Sequence, residues 1–125
     1  MKKRISNLLN RIRHKDIRAT LELGAIKDPA AISPMIEALG DENEWVRNYI
    51  SLSLHSMNNP AVTELLVHEL KSNKIPRKLH ALDILGMIGD PMCIDCIKSL
   101  TIDSQPEVSR KAERVLRKMQ SKLKA

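Results

Sequence analysis

A seven-residue pattern that ends in proline occurs three times in this chain, at a constant interval. The copies occupy residues 23–29, 54–60 and 85–91, so the prolines that close them are 31 positions apart. Self-similarity at a fixed period of this size is typical of proteins built from stacked helical repeats. The period therefore predicts the architecture before any single residue predicts a chemistry.

Each predicted repeat consists of a helix A, a tight turn, a helix B and a short polar link. The turns end in Asp28, Asn59 and Asp90, each followed by proline. Such side chains cap helices whose first position tolerates proline. We predict one all-α domain, an α-solenoid (superhelix) of about eight antiparallel helices in stacked helical hairpins, whose first helix A covers residues 15–26. Its parts are an N-terminal cap helix at 1–14, repeats at about 15–44, 45–75 and 76–106, and a C-terminal cap helix at 107–125.

Positions one period apart carry apolar side chains in five separate series. Because residues that recur on one helical face are buried together, these series predict a continuous core in which each repeat contacts its neighbours. The series are Leu23, Leu54, Leu85 and Leu116; Ile26, Met57, Ile88 and Met119; Ala19, Ile50, Ala81 and Ala112; Ala31, Val62 and Cys93; and Met35, Leu66 and Ile97.

The composition fits such a helical core. Trp45 and Tyr49 are the only aromatic residues, so Leu, Ile, Val, Met and Ala must fill the interior. Two cysteines are too few for a disulfide framework. The basic start of the chain lacks the apolar run of a secretion signal, and no stretch has the length and apolarity of a membrane span. These features predict a cytoplasmic protein.

Two segments, residues 38–47 and 84–91, resemble HEAT repeats, most of all the short variety named after phycobilisome (PBS) lyases. The resemblance implies a protein-interaction scaffold. It also implies an Asp in the link and an Arg early in the next helix A, and Asp41 and Arg47 match that pattern. The corresponding pairs in the later repeats are incomplete, so we do not expect a charge ladder along the stack; these are Ser72 with Lys78 and Asp103 with Ser109.

The leading functional hypothesis is a binding module without catalysis. Trp45, Tyr49 and Leu52 fall on the outer side of one helix A, and Leu21 precedes Leu52 by one period. Exposed Trp and Tyr are enriched at binding hot spots. The alternative is that Trp45 covers the adjacent link and Tyr49 fills a gap between helices. The B helices predict a second, acidic surface, which is either solvated or a groove for a basic peptide; its residues are Glu37, Glu64, His68 and Asp95, with Glu69 beside them.

The second functional hypothesis is nucleic-acid binding through the terminal helices. The net charge is +6, with basic residues concentrated at both ends and an acidic middle. The alternative is that these charges only keep the ends of the stack polar. The candidate phosphate-binding residues are Lys2, Lys3, Arg4, Arg11, Arg13, Arg110, Lys111, Arg114 and Lys118.

Enzymatic function ranks third, as a bilin-lyase-like or other HEAT-repeat subunit, and we predict no cofactor or metal. Cys93 and Cys96 form a Cys-x-x-Cys pair, but Cys93 falls in an apolar series and no second pair completes a zinc site. His68-Glu69 is similar to the His-Glu pairs that hold iron in the HEAT-repeat enzyme deoxyhypusine hydroxylase. That family carries the pair in several repeats and in A helices, whereas here it occurs once, in a B helix.

Overall fold

The computed structural model describes residues 2–39 and 43–124. Within these ranges the regular structure is entirely helical, with eight α-helices and three short 3-10 turns. This confirms the predicted all-α solenoid class. The α-helices are α1 (Lys2–Arg13), α2 (Arg18–Gly24), α3 (Ile32–Ala38), α4 (Glu44–Ser56), α5 (Pro60–Glu69), α6 (Ile75–Ile88), α7 (Ile94–Ser99) and α8 (Pro106–Lys124).

The chain folds as two compact units that divide between Val62 and Thr63. In the first unit, α2 and α4 pack against each other, and α1 and α3 each contact α4 and one another. In the second, α8 packs against α6, α7 and the 3-10 turn Leu100–Ile102. The predicted repeat boundaries stay predictions.

The recurring apolar series supply the buried side chains of each unit. Leu23, Leu54 and Leu85 are at most 1% exposed, and burying one such side chain stabilises the fold by roughly 1.5–3 kcal/mol. Full burial is wrong for three members of the series, because Met57, Ile88 and Leu116 are only half-buried. Met57 and Ile88 lie at the C-terminal ends of α4 and α6, next to the turn. In α8 it is Val115, and not Leu116, that packs against Gly86 of α6.

The capping carboxylates and amide recur with the period of the chain. Asp28 accepts a hydrogen bond from the backbone N–H two residues later (3.0 Å), Asn59 does the same (2.9 Å), and so does Asp90 (3.0 Å). The predicted caps are thus confirmed. In the first and third copies the proline opens a 3-10 turn, Pro29–Ala31 or Pro91–Cys93, before the α-helix begins. Helix α5 starts at its proline directly.

The turn before two of these caps uses the left-handed backbone conformation. Gly89 has φ of 70° and ends α6, and Asn58, one period earlier, has φ of 49°. Glycine adopts this conformation without strain, and Asn is one of the few other residues that tolerates it. Asn58 therefore reproduces the glycine turn although the two sequences differ.

The first helix A is shorter than predicted. It was expected over residues 15–26, but α2 covers Arg18–Gly24. Lys15 has a left-handed φ of 66°, and Asp16 accepts a hydrogen bond from the backbone N–H of Arg18 at 3.2 Å. The strained residue and the side-chain cap together delay the helix start to Arg18.

Two glycines allow A helices to approach each other closely. A Cβ at Gly24 would lie 2.2 Å from Ser56 Oγ on α4, and a Cβ at Gly86 would lie 2.9 Å from Val115 Cγ1 on α8. These distances are shorter than side-chain contacts allow. The two glycines occupy equivalent positions in the repeat, but the sequence alone does not show that close helix packing requires them.

The second unit contains an ion pair between helix α6 and the link after α7. The sequence, in contrast, predicts that the link residues lack complete ion pairs. Lys78 Nζ lies 2.9 Å from Asp103 Oδ2, with side-chain exposures of 17% and 11%. The prediction paired each link residue with the helix that follows it, whereas Asp103 pairs with the preceding helix A. The corresponding link residue Asp41 lies outside the described residues.

Candidate functional site

The outer side of α4 carries a pair of aromatic rings in contact. Trp45 and Tyr49 have ring centroids 4.8 Å apart and ring planes inclined by 57°, a tilted geometry that is favourable for aromatic pairs. Trp45 is 40% exposed and Leu52, two turns further along the same side, is 47% exposed. Tyr49 is half-buried. The structure thus places these three residues along one helical side.

Two further exposed apolar side chains belong to the segment that packs against α4. Leu21 is 73% exposed and Ile17, which immediately precedes α2, is 53% exposed. Both recur at helical spacing with Gly24, which faces Ser56 of α4, so we assign them to the side of α2 next to α4. Sequence reasoning missed Ile17 because it treated the residue as part of a helix-forming run. We call Ile17, Leu21, Trp45, Tyr49 and Leu52 the outer α2–α4 face.

Cations border the outer α2–α4 face at its N-terminal end. Lys15 Nζ lies 5.8 Å from the centre of the Trp45 ring, within the range of a cation–π interaction. The Arg18 side chain is 86% exposed and lies 3.4 Å from the Asp16 carboxylate. The face therefore combines apolar area with positive charge at one end, although Glu44 is also exposed in the first turn of α4.

A charge cluster joins α1 to the start of α2. Arg11 donates hydrogen bonds to Asp16, at 2.9 Å, and to Glu22. The guanidinium of Arg11 holds the pKa of Asp16 below its usual range, and the hydrogen bond to Asp16 raises the pKa of Arg11. A cleft of about 520 Å³ adjoins this cluster and is lined by Lys3, Arg4, Asn7, Leu8, Arg11 and Glu22.

The residues of the nucleic-acid hypothesis differ in how much of their charge is available. Arg11 is held by two carboxylates, Arg13 has an interaction partner, and Lys111 Nζ lies 2.7 Å from Asp83 Oδ2. Six others are exposed and make no ion pair within the described part of the chain. They are Lys2, Lys3 and Arg4 on α1, and Arg110, Arg114 and Lys118 on α8.

The predicted acidic surface is exposed but carries less charge than expected. Glu37 in the first unit, and Glu64, His68 and Asp95 in the second, are all exposed. Glu69, however, accepts two hydrogen bonds from Arg77, at 2.7 and 2.5 Å, and its side chain is only 14% exposed. Binding of a basic peptide at this surface stays a prediction.

The cysteine pair has the environment of packed side chains. Cys93 is 1% exposed, and burial raises the pKa of its thiol to about 11. A thiol with that pKa is almost entirely protonated at neutral pH, and the thiolate is the reactive form. Both cysteines are free, and Cys96 is half-buried. This environment gives no support to redox chemistry at the pair.

Residues 2–39 and 43–124 contain neither a metal-binding cluster nor a helix that could span a membrane. No three His, Cys, Asp or Glu side chains come close enough together to hold a metal ion. Likewise, every helix there is too short or too polar to cross a lipid bilayer.

Comparison with known proteins identifies a repeat family. A family model described as HEAT repeats matches residues 5–81, which is more than half of the chain. No curated protein sequence matches the chain. HEAT repeats generally act as protein-interaction scaffolds.

A solved structure of human deoxyhypusine hydroxylase, in complex with glycerol, has a similar fold. It superposes on 98% of this chain with a TM-score of 0.68 and 19% sequence identity, and this chain spans 45% of its length. The likeness contradicts the sequence-based prediction that the protein is not an enzyme, because an enzyme is built from repeats that fold in the same way. At this identity the likeness shows the fold alone.

Proposed function

Because the chain belongs to the HEAT-repeat family, we propose that it is a protein-binding module whose outer α2–α4 face receives an apolar segment of a partner protein. One observation carries this proposal. Among the described residues, four of the seven exposed large apolar side chains lie at this one face; they are Ile17, Leu21, Trp45 and Leu52. Contiguous exposed apolar patches on a folded protein are typical of interaction sites.

The aromatic pair would supply most of the binding energy. The Trp45 ring packs at an angle against Tyr49 and has the Lys15 ammonium 5.8 Å from its centre. These contacts restrict the side chain, so less entropy remains to be lost when a partner binds. Rigid, partly exposed Trp and Tyr side chains are the residue types most enriched at hot spots. Leu21 and Leu52 would extend the contact along the two helices.

The charges beside the face favour an acidic flank on the partner segment. Lys15 and Arg18 are exposed at the end of the face where Trp45 lies. Complementary charge at the rim of an interface mainly accelerates association and fixes orientation. We therefore expect a partner segment with apolar residues followed or preceded by Asp or Glu. The cytoplasmic location inferred from the sequence is part of this proposal.

A selection experiment tests the proposal. A random 16-residue peptide library would be selected on the immobilised full chain, and the recovered peptides would be measured in solution by fluorescence anisotropy. We expect apolar peptides with acidic flanks. Trp45→Ala combined with Tyr49→Ala should weaken them about 30-fold, which corresponds to about 2 kcal/mol at a hot spot. Lys15→Glu with Arg18→Glu should have a smaller effect that added salt abolishes.

The second unit offers a matched control. Met92 and Ile102 are 84% and 87% exposed and lie outside the face, so Met92→Ala with Ile102→Ala removes similar apolar area elsewhere. This variant should bind like the unaltered chain, and circular dichroism should show all variants folded. Equal binding by the aromatic and control variants, or recovery of peptides without apolar residues, would disprove the proposal.

A further inference from the structure

Helix α8 presents several cations on the part of its surface that is outside the core. Five exposed basic residues lie within an arc of about 140°, at about 100° per residue. The core side of α8 is formed by Val108, Ala112 and Met119, each at most 2% exposed. The five basic residues, which we call the α8 cation stripe, are Arg110, Arg114, Arg117, Lys118 and Lys122.

The charges of the α8 cation stripe are not neutralised by the fold. None of the five makes an ion pair within the described part of the chain, although Glu107 and Glu113 are exposed on the same helix. Lys111 lies within the same arc, but it pairs with Asp83 at 2.7 Å and is not counted in the stripe. Uncompensated like charges on one helix repel each other and destabilise it slightly. A polyanionic ligand would remove that repulsion.

The buried side of α8 decides between two anionic ligands. Amphipathic helices bind membranes by inserting an apolar side between the lipids. In α8 that side packs against α6 and α7, and Val108 and Ala112 are fully buried. The exposed residues of α8 are almost all polar, and most of the charged ones are cationic, so binding would be electrostatic.

The stripe extends along the helix, as phosphates extend along a linear polyanion. From position 110 to position 122 a helix rises about 18 Å, so the five cations are on average about 4.5 Å apart along the axis. One strand of a DNA duplex carries one phosphate per about 3.4 Å of helix axis. Three of the five are Arg, whose planar guanidinium binds phosphate oxygens in pairs. The guanidinium groups, together with an apolar side that is already packed in the core, favour the backbone of a nucleic acid over a lipid surface.

The side chains around the stripe favour a duplex over a single strand. Proteins that bind single strands stack bases on aromatic residues, and α8 contains none; the aromatic residues of the chain are Trp45 and Tyr49, on α4. We infer that α8 is a duplex-binding element that contacts the phosphate backbone without reading sequence. This site is distinct from the outer α2–α4 face, and it narrows the nucleic-acid hypothesis from both terminal helices to α8.

The salt dependence of binding tests the inference. The full chain would be titrated onto a fluorescein-labelled 20-base-pair DNA duplex at several salt concentrations. If the five cations each contact a phosphate, the slope of log K against log salt should be about −4.5. Arg110→Gln with Arg114→Gln and Arg117→Gln should reduce the magnitude of that slope by about 2.7. A duplex of unrelated sequence should give the same values.

Helix α1 supplies a control with the same change of charge. Lys2, Lys3 and Arg4 are also exposed, so Lys2→Gln with Lys3→Gln and Arg4→Gln removes three cations without touching the stripe. This variant should keep the slope of the unaltered chain. An equal fall in both variants would show that net charge, not the stripe, causes binding, and would overturn the inference.

Two other probes distinguish the alternative ligands. Vesicles with about one-third phosphatidylserine and poly-glutamate carry negative charge in other arrangements. We expect the duplex to bind more than tenfold more tightly than either at equal concentration of charge. Tighter binding to vesicles or to poly-glutamate, or no duplex binding at 50 mM salt, would also overturn the inference.

Discussion

The two units of this protein contain the same helix crossing, filled in two different ways. In the first unit Gly24 faces Ser56, and Ser53 Oγ donates a hydrogen bond to the Thr20 carbonyl nearby. In the second unit Gly86 faces Val115, and the contact is apolar. Glycine thus allows close helix contact in both units, with a polar partner in the first and an apolar partner in the second. Backbone proximity is what the repeat preserves, while the chemistry of the contact varies.

The two units also differ in their most shielded ion pairs, although the second unit has an exposed pair as well, Lys111 with Asp83. Arg11, Asp16 and Glu22 form their cluster at the surface, with side chains between 27% and 49% exposed. Lys78 and Asp103 are shielded, at 17% and 11%. Exposed pairs contribute little to stability, whereas breaking a shielded pair leaves a charge without its partner. We therefore expect the second unit to be the more sensitive to single substitutions.

The largest effect is expected from filling the apolar crossing. Gly86→Leu improves helix propensity but places a branched side chain where even a Cβ would lie 2.9 Å from Val115 Cγ1. We expect a loss of about 3 kcal/mol, measured by urea unfolding. Adding Val115→Ala should restore part of it, and Met87→Leu, at a position 40% exposed, should be neutral. A stable Gly86→Leu chain would mean that α6 and α8 do not pack closely.

Removing the shielded carboxylate comes next. Asp103 accepts a hydrogen bond from Lys78 and, through its other oxygen, one from the backbone N–H of Gln105 at 2.9 Å. Asp103→Ala loses both, and we expect a cost of about 2 kcal/mol. Asp103→Asn keeps the second bond and should lose about half as much. If Arg11→Gln, in the exposed cluster, destabilised the chain equally, the proposed difference between the units would be wrong.

At the polar contact between α2 and α4, the effect of Gly24→Ala on stability should change sign when Ser56 is replaced by Ala. Gly24→Ala places a Cβ 2.2 Å from Ser56 Oγ, and we expect it to cost about 1 kcal/mol. In a chain that already carries Ser56→Ala, the nearest remaining atoms are about 3.4 Å away. There the better helix propensity of Ala should stabilise by about 0.5–1 kcal/mol. The free energies of unfolding of the unaltered chain, the two single variants and the double variant give this comparison directly. If Gly24→Ala lowered stability both with Ser56 and with Ala at position 56, the prediction would be wrong.

The smallest effect is expected from acid. The pKa of Asp103 is lowered by the Gln105 N–H and by Lys78, and that of Asp16 by Arg11. A carboxylate with a lowered folded-state pKa stabilises the fold above its unfolded pKa of about 4, and that stability is lost as the pH falls through the folded pKa. The urea concentration at which half of the chains are unfolded should therefore decrease as the pH is lowered from 5 to 2.

The two carboxylates should contribute unequally to this acid sensitivity. Asp103→Asn should flatten the pH profile more than Asp16→Asn, because Asp103 is the more shielded. An unchanged profile in the Asp103→Asn chain would show that its pairing does not depend on charge.

Periodicity made the fold predictable from the sequence. The caps at Asp28, Asn59 and Asp90 and the buried Leu23, Leu54 and Leu85 depend on local hydrogen bonds and on helical spacing, which a sequence displays. The strained Lys15 and the pairing of Lys78 with Asp103 depend on how the chain bends and on which helix lies beside the link. Such information is not contained in spacing alone.

The candidate site was predictable only in part. Trp45, Tyr49 and Leu52 could be assigned to one side of a helix because they lie on a regular α4. Ile17 could not, because the start of α2 is set by Asp16 rather than by apolar spacing. Which basic residues are paired could not be predicted from the sequence. Arg11 and Arg114 are equivalent in the sequence, but in the fold Arg11 is paired with two carboxylates and Arg114 is exposed.

The recurrence of one turn at Asp28, Asn59 and Asp90 has a consequence for how such a chain can change length. Each turn closes on its own backbone, through a bond to the amide two residues further on. A stretch cut out or duplicated between two of them rejoins at a junction of the same shape. Whole hairpins can therefore be gained or lost as cassettes, whereas an insertion of another size inside a helix would shift the apolar positions of that helix relative to its neighbours.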